Sequence, residues 1–114
     1  MLGIARAGVR ARGTMAPGGV VTLKIQGTAF ADNIGNSEGK VYVALRLFYP
    51  NFNEELLGQD LQLVPAGGSA TASVTVTKNT AQKGTHIARA LAYVWRGGDT
   101  WTLEHEVSLD IIVA

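Results

Sequence analysis

Two histidines, nine carboxylates and several serines are the residues of this chain that could carry catalysis or hold a metal, and their spacing decides what they can do. His105 falls on the apolar side of the final alternating run, where a hydrogen-bonded core or interface histidine is the expected role. His86 opens the run before it, so an antiparallel hairpin offers a way to pair the two imidazoles. No carboxylate stands at a metal-ligand spacing from either, and there is no cysteine for a thiolate site. Ser69, Ser73 and Ser108 lack the glycine-flanked elbow that activates a nucleophilic serine. Glu104 and Glu106 lie two apart on one strand face, toward solvent, whereas a glycosidase pair must face itself across a cleft. Asp32, Asn36 and Glu38 offer oxygens to Ca²⁺ but not in the order of an EF-hand loop. Gly67-Gly68 and Gly97-Gly98 precede no helix, so neither pair forms a phosphate cradle. The expectation is a protein without catalytic residues, metal or cofactor.

The aromatic residues offer binding rather than catalysis. Tyr42, Tyr93, Trp95 and Trp101 suit a carbohydrate-binding face, because flat rings stack on sugar faces. Tyr93 and Trp95 share parity with Leu91, however, and that pattern predicts core filling. Trp95 and Trp101 flank a turn symmetrically, where exposed tryptophan marks an interface.

The elements that must position these residues are strands. From Thr85 to Val113 two long extended runs are joined by Arg96-Gly97-Gly98-Asp99, a centre that supplies the positive-φ positions of a tight hairpin. The second run puts Trp101, Leu103, His105, Val107, Leu109, Ile111 and Val113 on one side and Thr102, Glu104, Glu106, Ser108 and Asp110 on the other. A helix would not keep that alternation. Val20 to Ala31 reads as a strand with Val21, Leu23 and Ile25 on one face, and a bulge or strand switch is expected at Gly27. Lys40 to Tyr49 reads as the central strand, apolar on both faces except at Arg46, so its outer face around Tyr42 and Phe48 calls for a cover. Leu56 to Val64 follows as an edge strand, and Ser69 to Thr77 alternates with Ala70, Ala72, Val74 and Val76 inward. The fold class is all-β: an immunoglobulin-like antiparallel β-sandwich of about seven strands over residues 20–114, preceded by an extended arm over 1–19. Five glycines and Pro17 interrupt that arm, which carries Arg6, Arg10 and Arg12 and no acid. Its apolar Leu2, Ile4 and Val9 exceed what a solubilising tail needs, so beside a loose tail it reads as a segment that orders on a neighbour, by strand addition or by arginine contacts to an acidic surface.

At 114 residues and 46% apolar the chain suffices for one folded core. A net charge of only +1 gives no general reason to bind polyanions, so nucleic acid is not an expected partner. No secretory signal is visible and no stretch is long enough to span a membrane.

Phe30-Ala31-Asp32-Asn33-Ile34-Gly35, Lys40 to Tyr49, Leu63-Val64-Pro65-Ala66-Gly67-Gly68-Ser69 and Gly84-Thr85-His86 together resemble the CARDB-type domains, immunoglobulin-like modules of bacterial and archaeal surface proteins. The likeness covers about residues 21–95. It implies a spacer, adhesion or assembly module with no catalytic residues. The basic arm and the lack of a visible export signal or tandem copies shift the expectation to a self-standing assembly subunit of virion, shell or extracellular-filament type. That subunit would form a homo-oligomer or dock on a larger lattice. The expected contacts are Ile4, Arg6, Val9, Arg10, Arg12, Tyr42, Phe48, Trp95 and Trp101. The alternative is an adhesion or carbohydrate-binding module.

Overall fold

The computed structural model describes residues 2–15 and 18–114, with side chains for 5–14 and 18–114. Seven strands run in chain order: β1 Leu2–Met15, β2 Val21–Asn33, β3 Gly39–Phe48, β4 Glu54–Val64, β5 Ser69–Thr80, β6 Gly84–Gly97 and β7 Thr100–Val113. They form two antiparallel sheets, β1-β2-β5 and β4-β3-β6-β7. The fourth strand therefore joins the third, where a constant-type immunoglobulin sandwich would place it beside the fifth. Strands of ten to fourteen residues, at about 3.3 Å per residue, account for the long axis of a 55 × 22 × 17 Å molecule.

Alternation builds the core as expected in the middle of the chain. Val41, Val43, Leu45 and Leu47 of β3 are fully buried, facing Leu23, Ile25, Ala29 and Ala31 of β2. Two apolar clusters result. One contains Val21, Leu23, Ile25, Leu45, Leu47, Ala88 and Val113, and the other is built from smaller side chains around Ala29, Ala31, Val41, Val43, Ala72 and Ala92.

Three expectations are corrected by the structure. The stretch read as an arm is, over Leu2–Met15, an edge strand in continuous register with β2 from Ala5↔Ala31 to Met15↔Val21. Its small residues explain why: Ala7, Val9 and Ala11 take the inward parity and pack on the two clusters, while Arg6, Arg10 and Arg12 point out.

Gly27 makes no bulge either. Both ladders pass through it without a shift, and a Cβ there would stand 3.0 Å from Leu45 Cδ1. The glycine is the thin spot that lets Leu45 of the opposing sheet close in, so Phe30 simply faces outward.

The last hairpin does not keep one parity. Ladder pairing skips Glu104, between Ala92↔His105 and Tyr93↔Leu103, and skips Arg96, between Trp95↔Trp101 and Gly97↔Thr100. His105, Val107, Leu109, Ile111 and Val113 therefore take the inward parity, whereas Trp101 and Leu103 are turned to the opposite side. The turn itself is as expected, with positive φ at Gly97 and Gly98.

Candidate functional site

The outer side of the four-stranded sheet gathers the aromatic residues. Register sets Leu61, Tyr42, Tyr93 and Leu103 in one cross-strand row, and Trp95 opposite Trp101 in the next. The Tyr42 ring lies 5.7 Å from Tyr93 and 5.9 Å from Trp101, tilted by 54° and 58°. Lys40 Nζ sits 4.5 Å over the Trp95 ring, whose Nε1 donates to the Gly98 carbonyl at 2.9 Å. Tyr42, Leu61, Tyr93 and Trp101 line a shallow apolar groove. Around it Leu61, Leu63 and Leu103 are 46%, 50% and 44% exposed, an uncovered apolar surface on a folded domain. Burial, then the charge of Tyr93, raise the Tyr42 hydroxyl pKa, partly opposed by Arg46. That hydroxyl donates to Gln59 Oε1.

Toward the far end the same face becomes charged and internally balanced. Arg89 bonds Glu106 and Glu54 at 2.6 and 2.9 Å, and Arg46 meets Glu54 at 3.3 Å. The bond to Glu106 is the main cause raising the Arg89 pKa, with Glu54 adding to it. Phe48 lies at this end, edge-on to Phe52 at 6.3 Å, and so stands apart from the tryptophans.

The structure thus brings Tyr42, Trp95 and Trp101 together and leaves the other expected contacts elsewhere. Arg6, Arg10 and Arg12 are exposed on the outside of the other sheet. Val9 packs against the core, and the side chain of Ile4, within β1, lies outside those described. Tyr93, expected as core filling with Trp95, also faces outward. The inward positions of β6 are His86, Ala88, Ala90, Ala92 and Val94. Arg89 and Arg46 share parity with Tyr93 and Tyr42 respectively, and those charges were the available signal for the solvent side. Leu61, Leu63 and Leu103 were missed because half-exposed leucine on an edge strand looks like ordinary strand composition.

The remaining candidates are accounted for structurally. His86 is fully buried, 3.2 Å from Thr80 Oγ1 and edge-on to Tyr49 at 5.6 Å. It is paired with Ile111, whereas His105 is paired with Ala92, so the strands keep the two histidines apart. The Asn33-Ile34-Gly35 loop is organised by Asn33. Its Oδ1 accepts from Gly35 N–H at 3.0 Å, and its Nδ2 donates to Ser37 and Val64 carbonyls at 2.8 and 3.0 Å. Among the described residues no group of three or more His, Asp or Glu is placed to hold a metal ion, and no helix is long and apolar enough to cross a membrane.

No family model matches the chain, and the search of curated proteins finds no match. Among solved structures, a β-glucuronidase from glycoside hydrolase family 2 superposes with a TM-score of 0.51 at 4% identity, over 93% of this chain and 11% of its own. A glycosyl hydrolase family 2 member from Bacteroides cellulosilyticus DSM 14838 does so with a TM-score of 0.51 at 14% identity, over 96% of this chain and 15% of its own. The chain thus spans a small part of these enzymes, and the likeness is one of fold. The class that fold and sheet pairing define is an all-β, immunoglobulin-like sandwich.

Proposed function

We propose that this chain is a non-catalytic structural subunit that self-associates through the outer face of its four-stranded sheet, in an assembly of virion, shell or extracellular-filament type. The observation that carries the reading is the half-exposed ring of Leu61, Leu63 and Leu103 around Tyr42, Tyr93 and Trp101. Exposed apolar area of this kind is removed from water when it meets its like, and an apolar patch is complementary to itself across a two-fold axis. The charged part of the same face carries arginines already matched by glutamates, so a second copy meets no excess of either sign there. A sugar-binding face is less well served. The tilted rings of Tyr42, Tyr93 and Trp101 present no single flat platform, and the leucines around them offer no hydrogen bonds to hydroxyl groups. A role as a spacer or assembly module is also what the resemblance of the turns to those of CARDB-type domains implies.

The test is solution mass as a function of concentration, for the native chain and for Leu61→Glu/Leu103→Glu. Both leucines are exposed enough for the charged variant to fold. The native chain should sediment as a dimer or larger species and the variant as a 12.0 kDa monomer. A native chain that is monomeric at every concentration would remove the reading.

A further inference from the structure

The outer face of the β1-β2-β5 sheet differs in kind from the aromatic face. Its outward positions hold Arg6, Arg10, Arg12 and Lys24, and Asp32 as the only carboxylate among the described residues. Four of the ten basic residues and one of the nine acidic ones are there, so this face is net +3 and the rest of the chain −2. Among the described residues none of those four cations forms an ion pair, whereas Arg46, Arg89 and Arg96 on the other sheet are all matched by glutamate.

The cations are also ordered. Arg10 and Arg12 stand two residues apart on β1, about 7 Å along the strand, with Arg6 about 13 Å beyond Arg10. Lys24 is the cross-strand partner of Arg12, and Gln26 the partner of Arg10. These four residues with Ala11 and Thr75 line an open groove. Beside the groove β5 contributes a column of hydroxyl groups, Thr71, Ser73, Thr75 and Thr77.

We propose that this groove binds an acidic polysaccharide, sulfated or uronate-bearing, laid along β1. Guanidinium groups match the paired oxygens of sulfate and carboxylate, and the ammonium of Lys24 adds a point charge next to them. The threonine hydroxyls and the Gln26 amide both donate and accept, which is what sugar hydroxyls between the charged groups require. A single-stranded nucleic acid would instead need rings for its bases, and none lines the groove. The nearest ring on this face is Phe30, four residues along β2 from Gln26. The negative remainder of the molecule repels a polyanion and directs it to this side. Self-association through the opposite sheet would leave the groove open on both copies, and two grooves on one particle would bind one polymer with avidity.

Binding of labelled dextran sulfate, polygalacturonate, neutral dextran and a single-stranded dT homopolymer, followed by anisotropy over a salt series, tests this. The native chain should bind both acidic glycans, ignore neutral dextran, and bind the homopolymer more weakly at equal charge. Arg10→Gln/Arg12→Gln/Lys24→Gln should weaken glycan binding by about tenfold or more and flatten the salt dependence. Thr75→Val should weaken it with the salt dependence unchanged, and Lys83→Gln, away from the groove and from the aromatic face, should do neither. Tighter binding of the homopolymer would reassign the face to nucleic acid and overturn the proposal. So would equal losses in the groove and control variants, or no glycan binding at low salt.

Discussion

Arg96 and Glu104 are the two residues that the β6–β7 ladder passes over, and they form an ion pair with each other. The pair joins two bulges on opposite strands. Three residues of each strand lie between them, and of these Trp95 opposite Trp101 and Tyr93 opposite Leu103 belong to the outer face, while Val94 is buried. The bulge at Glu104 is thus what delivers Trp101 to the Tyr42 ring.

Deleting Glu104 and truncating it should therefore both leave Trp101 in place. The deletion makes Leu103 the direct neighbour of His105, so a regular ladder keeps Leu103 and Trp101 on the outer side, with Trp101 against Tyr42. Glu104→Ala keeps the bulge and loses only a largely exposed ion pair, at about 0–1 kcal/mol. Urea midpoints and tryptophan emission of the two variants check this. A red-shifted emission confined to the deletion variant would show that the extra residue is needed to hold Trp101 against Tyr42.

The same residues show what was readable beforehand. The buried faces of β2 and β3 were legible because Val, Leu and Ile recur at every second position from Val21 to Ile25 and from Val41 to Leu47, and that of β5 because Ala and Val alternate with Ser and Thr. The first strand alternates too, Ala5, Ala7, Val9 and Ala11 against Arg6, Gly8, Arg10 and Arg12, but its inward residues are so small that the glycines dominated the pattern. On β6 the contrast was inverted, with alanines inside and Tyr93 and Trp95 outside, so size pointed the wrong way and only the parity of Arg89 pointed the right one. On β7 the composition alternates straight through Glu104. A bulge adds a residue without changing the composition pattern, so nothing local betrayed it. Pairing between distant strands decided these cases, and that information is not in any one segment.

Gly27 should resist substitution more than the turn glycines. A methyl group there meets Leu45 at 3.0 and 3.3 Å and Ala90 at 3.5 Å, in the fully buried space between the sheets. Gly27→Ala should destabilise the fold by about 1–3 kcal/mol, the usual cost of overpacking, and Gly27→Val by more. Chemical denaturation reads both. A neutral Gly27→Val would mean the sheets can separate at little cost.

Tyr49, Glu55 and Lys78 give the fold a pH dependence on both sides of neutrality. The Tyr49 hydroxyl donates to Glu55 Oε1 at 2.7 Å, and Lys78 Nζ lies 3.0 Å from the same oxygen. Those contacts, the tyrosine bond first, hold the Glu55 pKa below its reference 4.5, while burial and then Glu55 push Tyr49 up to about 12. The Glu55 contribution is present above its unfolded pKa and lost as pH falls through the lower folded value. The Tyr49 contribution is present below pH 10 and lost as pH rises from there toward 12. Glu55→Gln should flatten the acid side of a stability–pH profile and lower the tyrosine that titrates last in an ultraviolet absorbance titration. An unchanged acid limb would place the pH dependence elsewhere.

The smaller sheet has two open edges, and each receives one side chain from the other sheet. His105 Nδ1 accepts the Ala7 N–H of β1 at 2.8 Å, and Asp60 Oδ2 accepts the Ser73 N–H of β5 at 3.0 Å. Ala7 and Ser73 lie at nearly the same level, since Ala7 pairs with Ala29 and Ser73 with the adjacent Thr28. Each contact occupies a donor that an incoming strand would use, and an unpaired edge is a template for aggregation. This arrangement also argues against strand addition at the middle of β1, the mode of assembly first expected of residues 1–19. His105→Leu should cost about 1–3 kcal/mol through the unsatisfied Ala7 N–H and speed hydrogen exchange at that amide. His105→Gln, which keeps an acceptor, should recover part of the loss. Asp60→Ala leaves the more exposed Ser73 N–H to water, so its effect on stability should be smaller. Combined with His105→Leu it unblocks both edges, and the double variant should form thioflavin-positive aggregates faster than either single one at equal stability. If aggregation instead followed stability alone across the three variants, the side chains would be ordinary tertiary contacts and the edges would be protected by something else.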